Sequence, residues 1–187
     1  MKKQRLKAKK GRLFGLLIGV SLLSLSSISE LVHAYELGQK GPAGGWVFYV
    51  SEDGLHGLEA APVDQGEAEW GCNTQNIIGA QSDAVDTGAQ NTAAILNGCD
   101  EGGIAARIAD NYVSSSGHDD WFLPSKDELD LMYTRLHKVG LGDLDNGGYW
   151  SSSDTVSNLT WFQFFNSGDQ SYGSKNFALR VRAVRTF

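Results

Sequence analysis

Two short clusters of acidic side chains come nearest to a chemical site in this sequence. His118 stands beside Asp119 and Asp120, but no second histidine lies at the spacing that a metal site needs, so a turn before a strand is the better interpretation. The segment Asp143-Leu144-Asp145-Asn146-Gly147 offers some oxygen ligands of a calcium loop, without the regular spacing or the final glutamate. A turn is favoured there too, and a weak structural calcium site is the alternative.

Sequence motifs of catalysis are missing. The sequence has no Gly-x-Ser-x-Gly elbow, no phosphate-binding glycine loop and no His-Glu-x-x-His pair. A carboxylate pair of the glycosidase type stays open as an alternative because acidic residues are numerous, although nothing singles one out. We therefore predict that the protein is not an enzyme and has no catalytic residue, no metal site and no cofactor.

The aromatic segment from Leu159 to Phe165 is the most suggestive candidate for binding. A strand here would place alternate residues on opposite faces: Trp161, Gln163 and Phe165 on one, and Thr160, Phe162 and Phe164 on the other. Core packing explains one aromatic face. The second is a candidate binding surface, because clustered exposed aromatic side chains mark such surfaces.

The N-terminal segment has the layout of a secretory signal peptide. Residues 1–12 are basic and residues 13–25 are apolar, a run shorter than the roughly 20 residues that span a bilayer. Val32-His33-Ala34 fits the small-x-small pattern of signal peptidase. We predict a signal peptide over 1–34 and a secreted, periplasmic or cell-surface protein that begins at Tyr35; an uncleaved membrane anchor is the less favoured alternative.

The only two cysteines are Cys72 and Cys99, and both lie after the predicted cleavage site. In an oxidising compartment such a pair favours one disulfide. The alternatives are a thiol nucleophile or a metal ligand, and neither a Cys-x-x-Cys spacing nor an adjacent histidine supports them. Closing a loop of this length stabilises a fold by about 3 kcal/mol.

Charge limits the partners of the predicted mature chain. Residues 35–187 hold nine basic and 21 acidic side chains, a net charge of −12. Binding to nucleic acid or to other polyanions needs clustered lysine and arginine, so we expect no nucleic-acid partner. Three arginines nevertheless recur near the end of the chain, and they would either form an anion site or pair with structural carboxylates and carbonyls: Arg180, Arg182 and Arg185.

Hydrophobic patterning predicts an α+β fold with small antiparallel sheets. Helices are expected over 87–98, 103–113 and 126–138, the last behind a Ser125-x-x-Glu128 capping box. Strands are expected over 46–50, 57–61, 121–124, 149–153, 159–165 and 178–187, and residues 62–86 are predicted to be a long loop. The terminal strands are expected to pair and close the single domain 35–187.

Five fragments in this order carry a family resemblance: Gly41-Pro42-Ala43-Gly44-Gly45-Trp46-Val47-Phe48-Tyr49, Gly57-Leu58-Glu59-Ala60-Ala61-Pro62, Asp120-Trp121-Phe122-Leu123-Pro124-Ser125-Lys126-Asp127-Glu128-Leu129, Tyr149-Trp150-Ser151-Ser152-Ser153 and Arg180-Val181-Arg182-Ala183-Val184-Arg185. Together they resemble the DUF1566 family, also called the Lcl C-terminal domain family, over residues 38–187. The resemblance implies a C-type-lectin-like domain with an extracellular binding role, such as an adhesin. Similar segments occur in variable proteins of diversity-generating retroelements.

The resemblance also implies which face of the strand 159–165 is buried and which residues bind the ligand. It places Trp161 and Phe165 inward and so leaves Phe162 and Phe164 outward; the predicted ligand-binding residues are Leu159, Phe162, Phe164, Asp169, Tyr172 and Phe177. Cover by a loop or a neighbouring subunit is an equally weighted alternative for Phe162 and Phe164. Replacing both by alanine is expected to abolish binding and to leave thermal stability nearly unchanged. For the three arginines the matching motif favours the structural role.

Differences between this sequence and the related proteins exclude some of their ligands and activities. An adhesin of this family binds glycosaminoglycans, and the negative net charge of residues 35–187 does not suit such polyanionic ligands. The motifs of calcium-dependent sugar binding are also absent. The late catalytic cysteines of formylglycine-generating enzymes are also absent. We therefore predict an exported domain that recognises a glycan or a protein through its C-terminal strands and loops, with oligomers as an option. The alternatives are a secreted carbohydrate-active hydrolase and a structural cell-envelope subunit.

Overall fold

The computed structural model describes residues 34–187, so all of the predicted signal peptide except Ala34 lies outside the described residues. These residues form eight strands and three α-helices: β1 (Trp46–Val50), β2 (Gly57–Ala60), β3 (Gly66–Ala68), α1 (Gly88–Gly98), α2 (Ala105–Asp110), α3 (Lys126–Arg135), β4 (Gly148–Val156), β5 (Leu159–Phe164), β6 (Gln170–Ser174), β7 (Leu179–Val181) and β8 (Val184–Thr186). The α+β class is confirmed. No helix in this part of the chain is long and apolar enough to cross a bilayer.

A three-stranded antiparallel sheet in the order β1-β2-β8 joins the two ends of the domain. The β1–β2 hairpin turns at Ser51–Leu55, where Asp53 Oδ1 accepts from Ser51 Oγ and from the amide of Leu55. The first residue of β2 is a glycine, Gly57, and a Cβ at this position would overlap the carbonyl oxygen of Tyr49. The prediction that the terminal strands pair is confirmed.

The second sheet has five strands in the order β3-β7-β4-β5-β6. The single strand predicted over 178–187 is instead two short strands, β7 and β8, which belong to different sheets. The chain changes sheets at Arg182 and Ala183, where the arginine side chain is buried and holds carbonyl oxygens of other segments. The sequence predicts no strand at β6, nor at β3, which lies within the predicted loop 62–86, because neither segment has an alternating apolar pattern.

The observed helices agree with the predicted ones except at some of their ends. Helix α1 ends at Gly98 as predicted, whereas α2 covers only part of the predicted 103–113. Ser125 and Glu128 form the predicted capping box of α3, and the last predicted turn is a 3₁₀ segment, His137–Val139, that ends at Gly140 with φ of 75°. The predicted strand over 121–124 is one isolated bridge between Phe122 and Val184.

Two buried clusters form the core. One packs Trp70, Trp121 and Trp150 with residues of α1 and α2 between the helices and the five-stranded sheet. The other packs the apolar side of α3, which includes Leu129 and Met132, against the three-stranded sheet. The predicted Cys72–Cys99 disulfide is confirmed, with a Cα–Cα distance of 5.7 Å, and it ties the long loop to the end of α1.

Candidate functional site

The predicted binding residues do not share one face of the five-stranded sheet. Strand β5 pairs with β4 so that Phe162 lies opposite Trp150, and it pairs with β6 so that Trp161 lies opposite Tyr172. Opposite residues of an antiparallel pair point to the same side. Leu159 and Tyr172 therefore lie on one side, which we call the aromatic face, and Phe162, Phe164 and Phe177 lie on the other.

The prediction that Phe162 points outward is wrong. Its side chain is only 7% exposed, and its ring makes an edge contact with Trp150 at 5.9 Å between centroids. Trp150 is itself held in the core by a 2.8 Å hydrogen bond from its indole to the carbonyl of Ala68. The register of β4 and β5 thus turns Phe162 into the cluster that α1 and α2 cover.

Two of the other aromatic predictions lie at the margin of that buried face. Phe164 is 40% exposed, and its ring contacts that of Phe162 at 4.8 Å. Phe177 is 52% exposed and packs over Gly173, where a Cβ would approach its ring to 3.0 Å. Both side chains are accessible, as predicted, but they extend the core cluster at its edge.

The prediction for Trp161 is wrong in the opposite sense. The resemblance put it inward, whereas in the structure its side chain is half-buried on the aromatic face. Phe165 is inward as expected, being 1% exposed. The strand ends at Phe164, so Phe165 does not continue the alternation that would have grouped it with Trp161.

The aromatic face carries an open apolar site. The rings of Trp161 and Tyr172 meet edge-to-face at 5.5 Å, and Tyr172 is 58% exposed. Beside them lies a cavity of about 390 Å³, lined by Thr155, Val156, Leu159, Trp161 and Tyr172. This volume falls in the usual range for small-ligand sites.

The Trp161 indole is a hydrogen-bond donor beside the cavity, without a partner in the described part of the chain. The indole N–H groups of Trp70, Trp121 and Trp150 each donate to a carbonyl, whereas that of Trp161 finds no acceptor within residues 34–187. Lys126 lies with its ammonium 4.6 Å from the centroid of the Trp161 ring and 3.8 Å from Asp83. A ligand here would therefore meet aromatic rings, one unused indole donor and a nearby cation.

A buried ion pair fixes the strands beneath this site. Lys175 and Asp154 join at 2.8 Å with side chains 0% and 1% exposed. Asp154 also accepts from the amide of Ile77, and Lys175 donates to the carbonyl of Gln75 at 2.6 Å and lies over the Trp70 ring. Burial lowers the pKa of Lys175, and the hydrogen bond to Asp154 opposes that shift. The pair anchors the end of β6 to the β4–β5 hairpin.

The remaining predicted site residue, Asp169, does not line the cavity. It lies exposed in the turn between β5 and β6, where its Oδ2 accepts from Ser167 Oγ at 2.8 Å and its carbonyl accepts from the amide of Phe164. Its side chain thus stabilises the turn. The structure brings only Leu159 and Tyr172 of the six predicted residues to one site.

The arginines have the structural role that was favoured. The buried Arg182 guanidinium binds Asp64 at 2.6 Å and donates to the carbonyls of Ala61 and Gly142. Arg185 bridges two carboxylates, Glu59 Oε1 at 3.1 Å and Asp120 Oδ1 at 2.5 Å. These contacts satisfy the Arg182 and Arg185 guanidinium groups inside the fold. Arg180 is partly exposed and faces three carboxylates at 3.6–3.9 Å: Asp64, Glu67 and Asp145.

Other charged groups serve the fold as well. Glu128 is fully buried, and burial raises its pKa to about 7, although its carboxylate accepts backbone N–H bonds from Ser125 and Gly88. Asp145, in the segment considered for calcium, lies 3.6 Å from Arg180. Within residues 34–187 the one cluster with metal-like spacing contains Cys72, Cys99 and Glu101, and its two sulfurs form the disulfide.

The residues that sequence reasoning missed are Thr155, Val156 and Trp161. Only the strand register reveals them, because Trp161 and Tyr172 meet through the β5–β6 pairing and Thr155 and Val156 reach the cavity after irregular pairing at the end of β4. Comparison of the chain with models of protein families and with curated proteins finds no match.

Proposed function

We propose that this chain is an exported ligand-binding domain, adhesin-like or receptor-like, which recognises a glycan or a protein through the aromatic face. The observation that carries the proposal is the open Trp161–Tyr172 pair beside an apolar cavity. Membership of the DUF1566 family, a C-type-lectin-like fold and retroelement diversification are parts of the same proposal.

The chemistry of the face supports both ligand classes. An aromatic ring that is open on one side stacks on the apolar face of a sugar ring, and the free indole N–H of Trp161 can donate to a hydroxyl group. The same rings suit an aromatic or aliphatic side chain of a protein. Residues 35–187 have 21 acidic and nine basic side chains, and this negative net charge disfavours polyanionic ligands.

The alternative functions gain less support. A hydrolase of carbohydrate needs two carboxylates in a cleft, and none of the four cavities described is lined by two. The carboxylic acid whose pKa burial raises to about 7, Glu128, is enclosed at the start of α3. If the protein were a structural envelope subunit, it would self-associate, and sedimentation of the purified protein measures this.

A binding screen tests the proposal. The exported protein is applied to a glycan array and to immobilised surface proteins, together with Tyr172→Ala and the control Phe177→Ala, which removes a similarly exposed ring from the opposite face. We expect a hit that Tyr172→Ala weakens roughly tenfold or more and Phe177→Ala leaves unchanged. Equal losses for the two variants, or no loss for Tyr172→Ala, would refute this site.

A further inference from the structure

Most edges of the two sheets are protected against pairing with another strand. The outer edge of β1 is covered by residues 38–41, and that of β8 is covered by Phe122, which exchanges two hydrogen bonds with Val184. Strand β3 has only three residues and carries Glu67. Short, charged or covered edges are the usual means by which proteins avoid unwanted strand addition.

Strand β6 lacks these protections. It is a five-residue edge strand, Gln170–Ser174, with no charge, no proline and no shift of register against β5. Hydrogen bonds from Phe164 to Asp169 and from Lys175 to Asn158 bracket its ladder with β5. Because bonded and non-bonded pairs alternate in an antiparallel ladder, Ser171 and Gly173 bond to β5 and Tyr172 directs its backbone N–H and C=O outward.

The open edge and the aromatic face meet at Tyr172. Its outward N–H and C=O have no hydrogen-bond partner within residues 34–187, and its ring is 58% exposed. A strand added beside β6 would exchange two hydrogen bonds with Tyr172. The side chain opposite Tyr172 would lie on the aromatic face and extend the row that Trp161 and Tyr172 begin.

We propose that β6 binds an extended segment of another protein by strand addition, with an apolar or aromatic side chain against the free side of the Tyr172 ring. This inference rests on the proposed function and assigns its ligand to the protein class. Main-chain hydrogen bonds supply affinity in this mode of recognition, and the side chain at the aromatic face supplies selectivity.

Charge complementarity specifies the partner further. Residues 35–187 carry a net charge of −12, and β6 itself is uncharged with the exposed Asp169 directly before it. A basic segment would therefore be attracted, whereas a second copy of this chain would bring the same negative charge to the edge. The occupant is accordingly a basic extended segment and not a second copy.

Synthetic heptapeptides test strand addition. The probes are Lys-Thr-Thr-X-Thr-Thr-Lys peptides in which X is valine, leucine, phenylalanine or tryptophan, and each has a twin that is N-methylated at X. N-methylation keeps the side chain but removes the N–H that would donate a hydrogen bond to the Tyr172 carbonyl. Binding to the full-length protein is followed by NMR, together with amide hydrogen exchange at Tyr172 and, as an internal control, at Ser171.

We expect at least one peptide to bind at millimolar concentration or better. N-methylation should weaken this binding about tenfold, which is the loss of one to two hydrogen bonds. Exchange at the Tyr172 amide should slow at least tenfold on binding, and the β5-bonded Ser171 amide should change little. Tyr172→Ala should weaken binding and Phe177→Ala should not.

Three results would overturn the inference. Equal binding of a peptide and its N-methylated twin would show side-chain recognition without strand addition and would leave the proposed function intact. No binding by any peptide, with glycan binding that depends on Tyr172, would assign the face to sugars. A dimer in sedimentation with protected Tyr172 amides in the free protein would make a second copy the occupant of the edge.

Discussion

Replacing Phe162 by alanine is expected to destabilise the protein strongly, because the side chain is core and not surface. It is 7% exposed and fills space between Trp150, Phe164 and Gly173. Truncating a buried phenylalanine costs about 3–5 kcal/mol, the sum of lost apolar burial and of the cavity left behind. Part of this loss comes from edge contacts with two aromatic rings, each worth about 0.5–1.5 kcal/mol.

Urea unfolding of the wild type and of single variants measures this loss as a free energy. Phe164→Ala is the matched control, since its ring is on the same strand and face but is 40% exposed, and we expect it to cost about 1 kcal/mol. A loss for Phe162→Ala as small as that of Phe164→Ala would refute the register of β4 and β5 on which the aromatic face depends. The sequence-based expectation of nearly unchanged stability is reversed here.

Three further predictions concern groups beneath or beside the site. Lys175→Met should cost about 3–5 kcal/mol in urea unfolding because it leaves the Asp154 carboxylate buried without its cation, and adding Asp154→Asn should recover part of the loss; an additive double variant would contradict the coupling. Reduction of the Cys72–Cys99 disulfide should lower the free energy of unfolding by about 3 kcal/mol, and the unreduced exported protein should have no thiol to alkylate; two reactive thiols would contradict it. Burial raises the pKa of Glu128 from 4.5 to about 7, so the folded state binds the extra proton and stability should fall as pH rises through that window, by up to about 1.4 kcal/mol per pH unit. Unfolding at several pH values should show that slope reduced in Glu128→Gln, and an unchanged slope would assign it to another group.

Local sequence signals predicted those parts of the fold that depend on neighbouring residues. The Ser125-x-x-Glu128 capping box predicted the start of α3, and the hydrophobic patterning of residues 46–50 and 57–61 predicted strands β1 and β2. The disulfide followed from the cysteine count and the predicted export. In each case the physical cause lies within a few residues or in a single pair.

Features that depend on distant pairing could not be read in the same way. Strand β6 is mostly polar, and what makes it a strand is the pairing of its backbone with β5. The alternation of β5 was recognised, but which side is core depends on the packing of Trp150 against α1 and α2. The buried Lys175–Asp154 pair likewise joins residues that no local pattern connects.

The position of the bound ligand tests the central claim most directly. The Trp161 indole N–H gives a separate NMR signal, and it is a donor of the aromatic face without a partner within residues 34–187. Titration with the ligand found in the binding screen should shift this signal and the Tyr172 resonances at the concentration where binding occurs, and it should leave the Phe177 ring signals unchanged. Saturated binding that moves Phe177 and not Trp161 would place the site on the opposite face and contradict the account.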